Sequence, residues 1–265
     1  MISEEYSRQK AIQVMVSAIS RELAENQPSV YLYGSAVLDD FRLGWSDIDI
    51  LVLTQKPISQ TQAQELVALR QKLLEQEPGN PYYRSFEGGM LTLTAFCSGE
   101  RDCVVYWGTS GQRITDAYHF DNFCMTELLQ NGQLLYGTEI RSQFALPRYA
   151  DLYADVKRHY EGIRQYAQTT DRSLYSFGWL LDIARCIYTL RTGSIIAKTE
   201  AGQWALDNDL CPVPDTLEIA LKVRKKTREY LKTSEIFNYA ETLGPAVQRF
   251  ADVLETELKS PGSPV

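Results

Sequence analysis

The sequence predicts an α/β (α+β) N-terminal domain built on a small mixed sheet, followed by an all-α C-terminal helical bundle. Three observations predict it. Two apolar runs, residues 30–33 and 48–53, are short and rich in aliphatic and aromatic side chains, and the interval between them has room for only a turn and one short helix. Punctuation then recurs at Pro57, at Pro78-Gly79-Asn80-Pro81 and from Gly108 to Gly111, which breaks the first half into short elements. Beyond Leu146-Pro147 the apolar residues fall at helical spacing almost to the C-terminus. The domains are therefore placed at 1–146 and 147–265.

Taken in order, residues 3–24 put Ile12, Met15, Val16, Ile19 and Leu23 on one helical stripe that packs ahead of the first strand. Pro28 and Ser29 end that pattern, and the strand over 30–33 runs into Gly34-Ser35, where Ser35 is expected to cap a short helix over 36–41. A turn at 42–45 brings the second strand back beside the first. That strand, 48–53, is almost continuously apolar, as a central strand covered on both faces must be. Ser59 and Gln62 make a capping box for a helix reaching about residue 76, whose buried face is Leu66, Leu69 and Leu73. Residues 82–96 are β-rich, and Gly88-Gly89 within them predicts a bulge or bend. A strand over 103–107, a helix over 115–131 capped by Asn131-Gly132, and either a short strand or an apolar connection over 134–137 complete the first half. Helices are predicted over 148–167, 173–191, 199–207, 215–232 and 234–259, with a frayed tail at 260–265.

Composition narrows the function classes. At 265 residues with 44% apolar and 23% charged side chains, the chain can bury a core without staples. It has no apolar run of membrane-spanning length, and its N-terminus lacks a basic region followed by an apolar one, so a soluble cytoplasmic protein, monomer or weak dimer, is expected. Cys97, Cys103, Cys124, Cys186 and Cys211 have no zinc or redox spacing and read as reduced core thiols. His119 and His159 are isolated and read as surface or packing residues. A net charge of −7 and a pI near 5.0 make a poor footprint for nucleic acid and suit a small cationic partner better.

The residues that carry chemistry are Gly34-Ser35 and Asp47-Ile48-Asp49. On a strand, side chains one residue apart share a face, about 6.5–7 Å apart along the chain, so Asp47 and Asp49 can both hold a divalent cation. Magnesium takes oxygen ligands and is commonly bound by one or two carboxylates plus substrate phosphates, which points to a nucleoside triphosphate. Gly34 allows close approach of the backbone to a phosphate, and Ser35 at a helix start would leave free N–H groups aimed at it. Tyr33, Trp45, Tyr106 and Trp107 are candidates to stack on adenine or a sugar ring.

The joint pattern of strand, Gly34-Ser35 and Asp47-Ile48-Asp49 leading into a strand resembles the DNA polymerase β-like nucleotidyltransferase superfamily. Leu32-Tyr33-Gly34-Ser35-Ala36-Val37 with Ser46-Asp47-Ile48-Asp49 is similar to its spectinomycin/streptomycin adenylyltransferase branch, and so is the segment Ala184-Arg185-Cys186-Ile187-Tyr188, Thr192-Gly193-Ser194-Ile195, Lys198 and Trp204-Ala205. The resemblance covers roughly 25–55 and 180–206. It implies transfer of AMP from ATP, with Mg²⁺, to a hydroxyl of a small, cationic, aminoglycoside-like acceptor placed between the domains. It further implies a third carboxylate, for which Tyr83-Arg84-Ser85-Phe86-Glu87 offers Glu87 and a second register offers Thr92, and nucleotide contacts from Arg185, Lys198 and Tyr230. Asp171 falls near an acid that grips the antibiotic in the family, whereas Tyr175 stands where another acid is expected. Helical spacing also allows Arg185 to pair simply with Asp182. Two other readings remain open at this level: transfer to a macromolecule such as tRNA or protein, and a non-catalytic nucleotide-binding module should Thr92 replace the third carboxylate.

Overall fold

The computed structural model describes residues 4–108 and 111–259. The chain divides into two compact units. The first takes in Met1–Phe41, Ser46–Phe120 and Glu127–Leu146, and the second takes in Arg42–Trp45, Asp121–Thr126 and Pro147–Val265. The two short stretches that the second unit draws from the first half of the sequence have no counterpart in a single division at residue 146.

The first unit opens with α1 (Glu4–Glu22), which buries Ile12, Met15, Val16 and Ile19 along its predicted stripe. β1 (Pro28–Tyr33) and β2 (Ile48–Thr54) pair antiparallel. Helix α2 (Gln60–Gln76) begins at the expected capping box, with the Ser59 hydroxyl accepting from Gln62 N–H and the Gln62 side chain accepting from Ser59 N–H. It leads to β3 (Phe86–Thr92), which lies parallel to β2. Then follow α3 (Leu93–Ser98), β4 (Val104–Gly108), β5 (Gly111–Thr115), α4 (Asn122–Asn131) and β6 (Gln133–Tyr136). The result is one mixed six-stranded sheet in the order β5-β4-β3-β2-β1-β6. β2 lies inside it, paired on both edges, with Ile50 to Leu53 fully buried, as its unbroken apolar run requires.

Three expectations fail here for physical reasons. Gly88 and Gly89 produce no bulge; β3 passes through them in unbroken register with β2. They are notches instead: a Cβ at Gly88 (φ +145°) would lie 1.8 Å from the Ile50 carbonyl oxygen, and one at Gly89 would meet the Tyr118 ring at 2.6 Å. Among the described residues the ladder shifts register at Val30/Tyr31 instead, against β6. Residues 111–115 form β5, a hairpin partner of β4, so the helix expected from Thr115 starts only at Asn122. Thr109 and Ser110, within the expected turn, lie outside the described residues, as does the 260–265 tail. Ser35 caps no helix either, because Gly34–Ala36 is a single 3₁₀ turn and the Ser35 hydroxyl donates to the Asp47 carbonyl at 3.4 Å.

The second unit is all-helical: α5 (Tyr149–Tyr166), α6 (Tyr175–Thr192), α7 (Lys198–Asp207), α8 (Pro214–Lys225), α9 (Thr227–Tyr230), α10 (Ser234–Ala240) and α11 (Gly244–Lys259). α6 is its axis, burying Phe177, Leu180, Leu181, Ile183, Ala184, Ile187 and Leu190. Two helices predicted as continuous are broken. Lys226 leaves helical geometry at φ −125°, ψ 37°, between α8 and α9. A turn after Ala240 precedes Gly244, where a Cβ would stand 2.2 Å from the Gln168 carbonyl oxygen. Cys186 and Cys211 are buried, but Cys97 is exposed and Cys103 and Cys124 are half-buried, so the cysteines are not all core thiols. Burial pushes the Cys186 thiol up to about 12 and that of Cys211 up to about 11.

Candidate active site

The strand register gathers the acidic residues of the first unit. Tyr33 on β1 stands opposite Asp49 on β2, and Asp49 stands opposite Glu87 on β3. Cross-strand partners share a face and neighbouring strands lie about 4.8 Å apart, so Asp49 and Glu87 present adjacent carboxylates. Asp47 sits one residue before β2 begins, outside the regular ladder, with its carbonyl held by Ser35. Gly34, at φ +69°, leaves bare backbone beside Asp49: a Cβ there would lie 2.3 Å from Asp49 Oδ2. A side chain at position 34 would fill the space in front of that carboxylate, which is the physical reason for glycine.

Thr92 is placed elsewhere. It pairs with Thr54 at the far end of the ladder, five residues or about 16 Å of strand from Glu87, and its hydroxyl accepts from Ala95 N–H as the N-cap of α3. Arg70 on α2, which no motif singled out, donates from Nη1 to the Phe86 carbonyl at 2.7 Å. Burial lowers its pKa, against which the charges of Glu87 and Asp47 act. Among the described residues no three His, Cys, Asp or Glu side chains group into a metal cage of their own. An all-oxygen pair completed by phosphate oxygens is what magnesium uses, and the bare Gly34 backbone beside Asp49 Oδ2 leaves room for it.

Of the aromatic candidates, Trp107 is fully buried, its indole N–H donating to the Leu66 carbonyl at 3.1 Å, and can stack on no ligand. Tyr33 is buried edge-on to Phe120 at 5.3 Å. Tyr106 is half-buried, with the Arg113 guanidinium 4.3 Å from its ring centre. Trp45 is buried in the second unit beneath the Arg224 guanidinium, 5.4 Å from its ring centre.

In the second unit, Asp182 on α6 is shared by two cations. Lys198 Nζ lies 2.9 Å from its Oδ1, and Arg185 Nη2, one turn along the same helix, lies 3.4 Å from it. Burial by itself would raise the Asp182 carboxyl; Lys198 and Arg185 outweigh it and hold the carboxyl below its ordinary value. The Arg185 guanidinium also sits over the Phe123 ring at 5.2 Å, and His159 stacks on the same ring at 5.3 Å. Arg185 and Lys198 are thus brought together, and by a carboxylate that sequence reasoning treated only as a helical neighbour. A cavity of about 440 Å³ opens onto Asp182 and Lys198, with Asp171, Trp179 and the exposed rings of Tyr166 and Tyr175 around it. Asp171 Oδ1 accepts from the Ser176 hydroxyl at 2.8 Å. Tyr230, which ends α9 half-buried against the helical core, is not among the residues lining that cavity.

Comparison with known proteins gives a consistent assignment. Residues 16–81 match the nucleotidyltransferase domain family, and residues 149–255 match the C-terminal domain of aminoglycoside adenylyltransferases. The crystal structure of spectinomycin adenyltransferase AAD(9) from Enterococcus faecialis with ATP and spectinomycin is similar over 92% of this chain and 99% of that one, with a TM-score of 0.64 at 16% sequence identity. That match speaks for the fold. No curated protein sequence matches the chain. Among the described residues no helix is long and apolar enough to cross a membrane. The chain thus matches, in order, a nucleotidyltransferase domain and the C-terminal domain of aminoglycoside adenylyltransferases, and on these two matches it is similar to nucleotidyltransferases of that kind.

Proposed function

We propose that the protein transfers AMP from ATP, with Mg²⁺, to a hydroxyl of a small cationic acceptor of the aminoglycoside kind, in the cytoplasm. The observation that carries the reading is the register Tyr33, Asp49, Glu87 beside the bare backbone of Gly34, on a chain whose residues 16–81 match the nucleotidyltransferase domain and whose residues 149–255 match the C-terminal domain of aminoglycoside adenylyltransferases. The solved neighbour was crystallised with ATP and spectinomycin, which supports ATP as the donor and a small molecule as the acceptor. Asp47 and Asp49 would hold magnesium, which supplies charge neutralisation at the phosphates when bound. Glu87, beside Asp49, would accept the proton of the acceptor hydroxyl as its oxygen attacks the α-phosphorus and pyrophosphate leaves. Gly34 and Ser35 would lie along the phosphates, while Arg185, Lys198 and Tyr230 would hold the nucleotide from the second unit. The cavity that places Asp171 among exposed aromatic rings supports a cationic acceptor, because a carboxylate and ring faces both attract ammonium groups.

The test is transfer of α-phosphate label from ATP to a panel of aminoglycosides and aminocyclitols, with tRNA and protein as controls. Labelled antibiotic is the expected product. Label on tRNA or protein alone would move the acceptor to a macromolecule, and ATP binding without transfer to any acceptor would leave a nucleotide-binding module.

A further inference from the structure

Arg70 belongs to none of the motifs that define the site, yet it reaches the site from α2, the helix that connects β2 to β3. Its hydrogen bond of 2.7 Å goes to the carbonyl of Phe86, the first residue of β3. Phe86 pairs with Ile48, the first residue of β2. The bonded residue is therefore followed by Glu87 on its own strand, and its partner is flanked by Asp47 and Asp49 on the other. The guanidinium is half-buried, and Glu87 and Asp47 are the charges acting on it. Asp49 and Glu87 stand opposite each other on paired strands, with Asp47 just ahead of β2, and a fixed cation on the adjoining helix offsets the repulsion that carboxylates so placed exert on one another.

We propose that Arg70 is a positioning residue and resident counter-ion for the Asp47, Asp49 and Glu87 cluster. Its hydrogen bond fixes the start of β3, so that Glu87 stays beside Asp49. Its charge offsets the cluster while no nucleotide is bound, so that a divalent cation alone is held weakly and arrives productively only with the triphosphate. The proposal rests on the reading of Asp47 and Asp49 as the metal-holding pair. The two roles are separable by chemistry. Glutamine at position 70 keeps an N–H donor and loses the charge, whereas lysine keeps the charge and loses the planar fork.

The experiment is Mn²⁺ binding to nucleotide-free protein, followed by the electron paramagnetic resonance signal of free Mn²⁺, in the parent, Arg70→Gln, Arg70→Lys and Asp49→Asn, each checked for folding by circular dichroism. Arg70→Gln is expected to bind Mn²⁺ about five-fold or more tightly than the parent, the scale for removing one like charge near a partly buried site. Arg70→Lys is expected to bind Mn²⁺ as the parent does, while losing about ten-fold in kcat with KM for ATP unchanged, because Glu87 is no longer fixed. A purely structural arginine would not tighten metal binding when removed. Loss of Mn²⁺ binding in Asp49→Asn with no tightening in Arg70→Gln overturns the role of Arg70 alone. Unchanged Mn²⁺ binding in Asp49→Asn overturns the metal assignment, and this proposal with it.

Discussion

At the scale of single residues, the acidic cluster yields the sharpest tests. Asp49→Asn removes charge from a proposed metal ligand without changing shape, so transfer is expected to vanish while the melting temperature holds. Unaltered Mg²⁺-dependent ATP binding in both Asp47→Asn and Asp49→Asn would show that the pair is not the metal site. Glu87→Gln should keep ATP binding and lose about 10²–10⁴ in turnover, the usual contribution of a positioned general base. Thr92→Ala should leave turnover nearly unchanged and lower stability by about 1 kcal/mol, because Thr92 is the N-cap of α3. Both would be measured by steady-state kinetics and chemical denaturation, and an active Glu87→Gln beside a dead Thr92→Ala would reverse the assignment. That Asp47 and Asp49 fall at the entrance of one strand was legible from their spacing, whereas the place of Glu87 opposite Asp49 follows only from the pairing of β2 with β3. Arg70 was not legible, since its partner Phe86 is reached only after α2 has crossed from β2 to β3. Asp182 was half legible: its spacing from Arg185 is helical, but its bond to Lys198 depends on how α7 packs on α6.

At the scale of elements, local signals were read well where the side chain acts on its own backbone and poorly where the cause lies in a neighbouring element. The Ser59 and Gln62 capping box is closed within four residues, and it formed as written. Gly88-Gly89 looked like a bulge because nothing in the sequence reveals that the Ile50 carbonyl and the Tyr118 ring approach those two positions. β5 escaped notice because Gly111–Thr115, at the sheet edge, shows no buried face, its residues being exposed or half-buried throughout. The glycine notches can be told apart by experiment. Gly88→Ala combines a positive φ with a Cβ driven against backbone, and is expected to cost about 3 kcal/mol or more. Gly89→Ala meets only the Tyr118 ring, which can move, and should cost less. Equal losses for the two variants in urea denaturation would mean that the β2–β3 contact at Ile50 is not the reason for Gly88.

At the scale of the whole molecule, each unit carries its own core and its own ion-paired acid, so the response to pH can be assigned unit by unit. In the first unit Glu139 is held down to about 2 by hydrogen bonds from Arg141, and it also accepts from the Tyr31 hydroxyl at 3.1 Å. In the second unit Asp182 is lowered because Lys198 and Arg185 outweigh its burial. Asp121 is lowered too, because the nearby His159, 3.8 Å away, and the hydrogen bond from the Cys124 N–H outweigh burial there. A carboxylate whose folded pKa lies below its unfolded value binds fewer protons when folded, so its contribution is complete above the unfolded value. Those values are 4.5 for Glu139 and 3.8 for Asp182 and Asp121, and the contribution fades as pH falls through the folded pKa. Stability is therefore expected to be level between about pH 7 and pH 5 from these groups and to fall steadily from about pH 4.5 toward pH 2. Glu139 has a side chain 45% exposed, so solvent screening keeps its share small, whereas Asp182 is 21% exposed and has two cations to lose. Denaturation midpoints measured at pH 7, 5, 4 and 3 should accordingly show a steeper acid limb in the parent than in Asp182→Asn, and only a slight change of slope in Arg141→Met. An acid limb as steep in Asp182→Asn as in the parent would mean that the shared carboxylate adds nothing to folding, and that Lys198 and Arg185 are gathered there for the nucleotide alone.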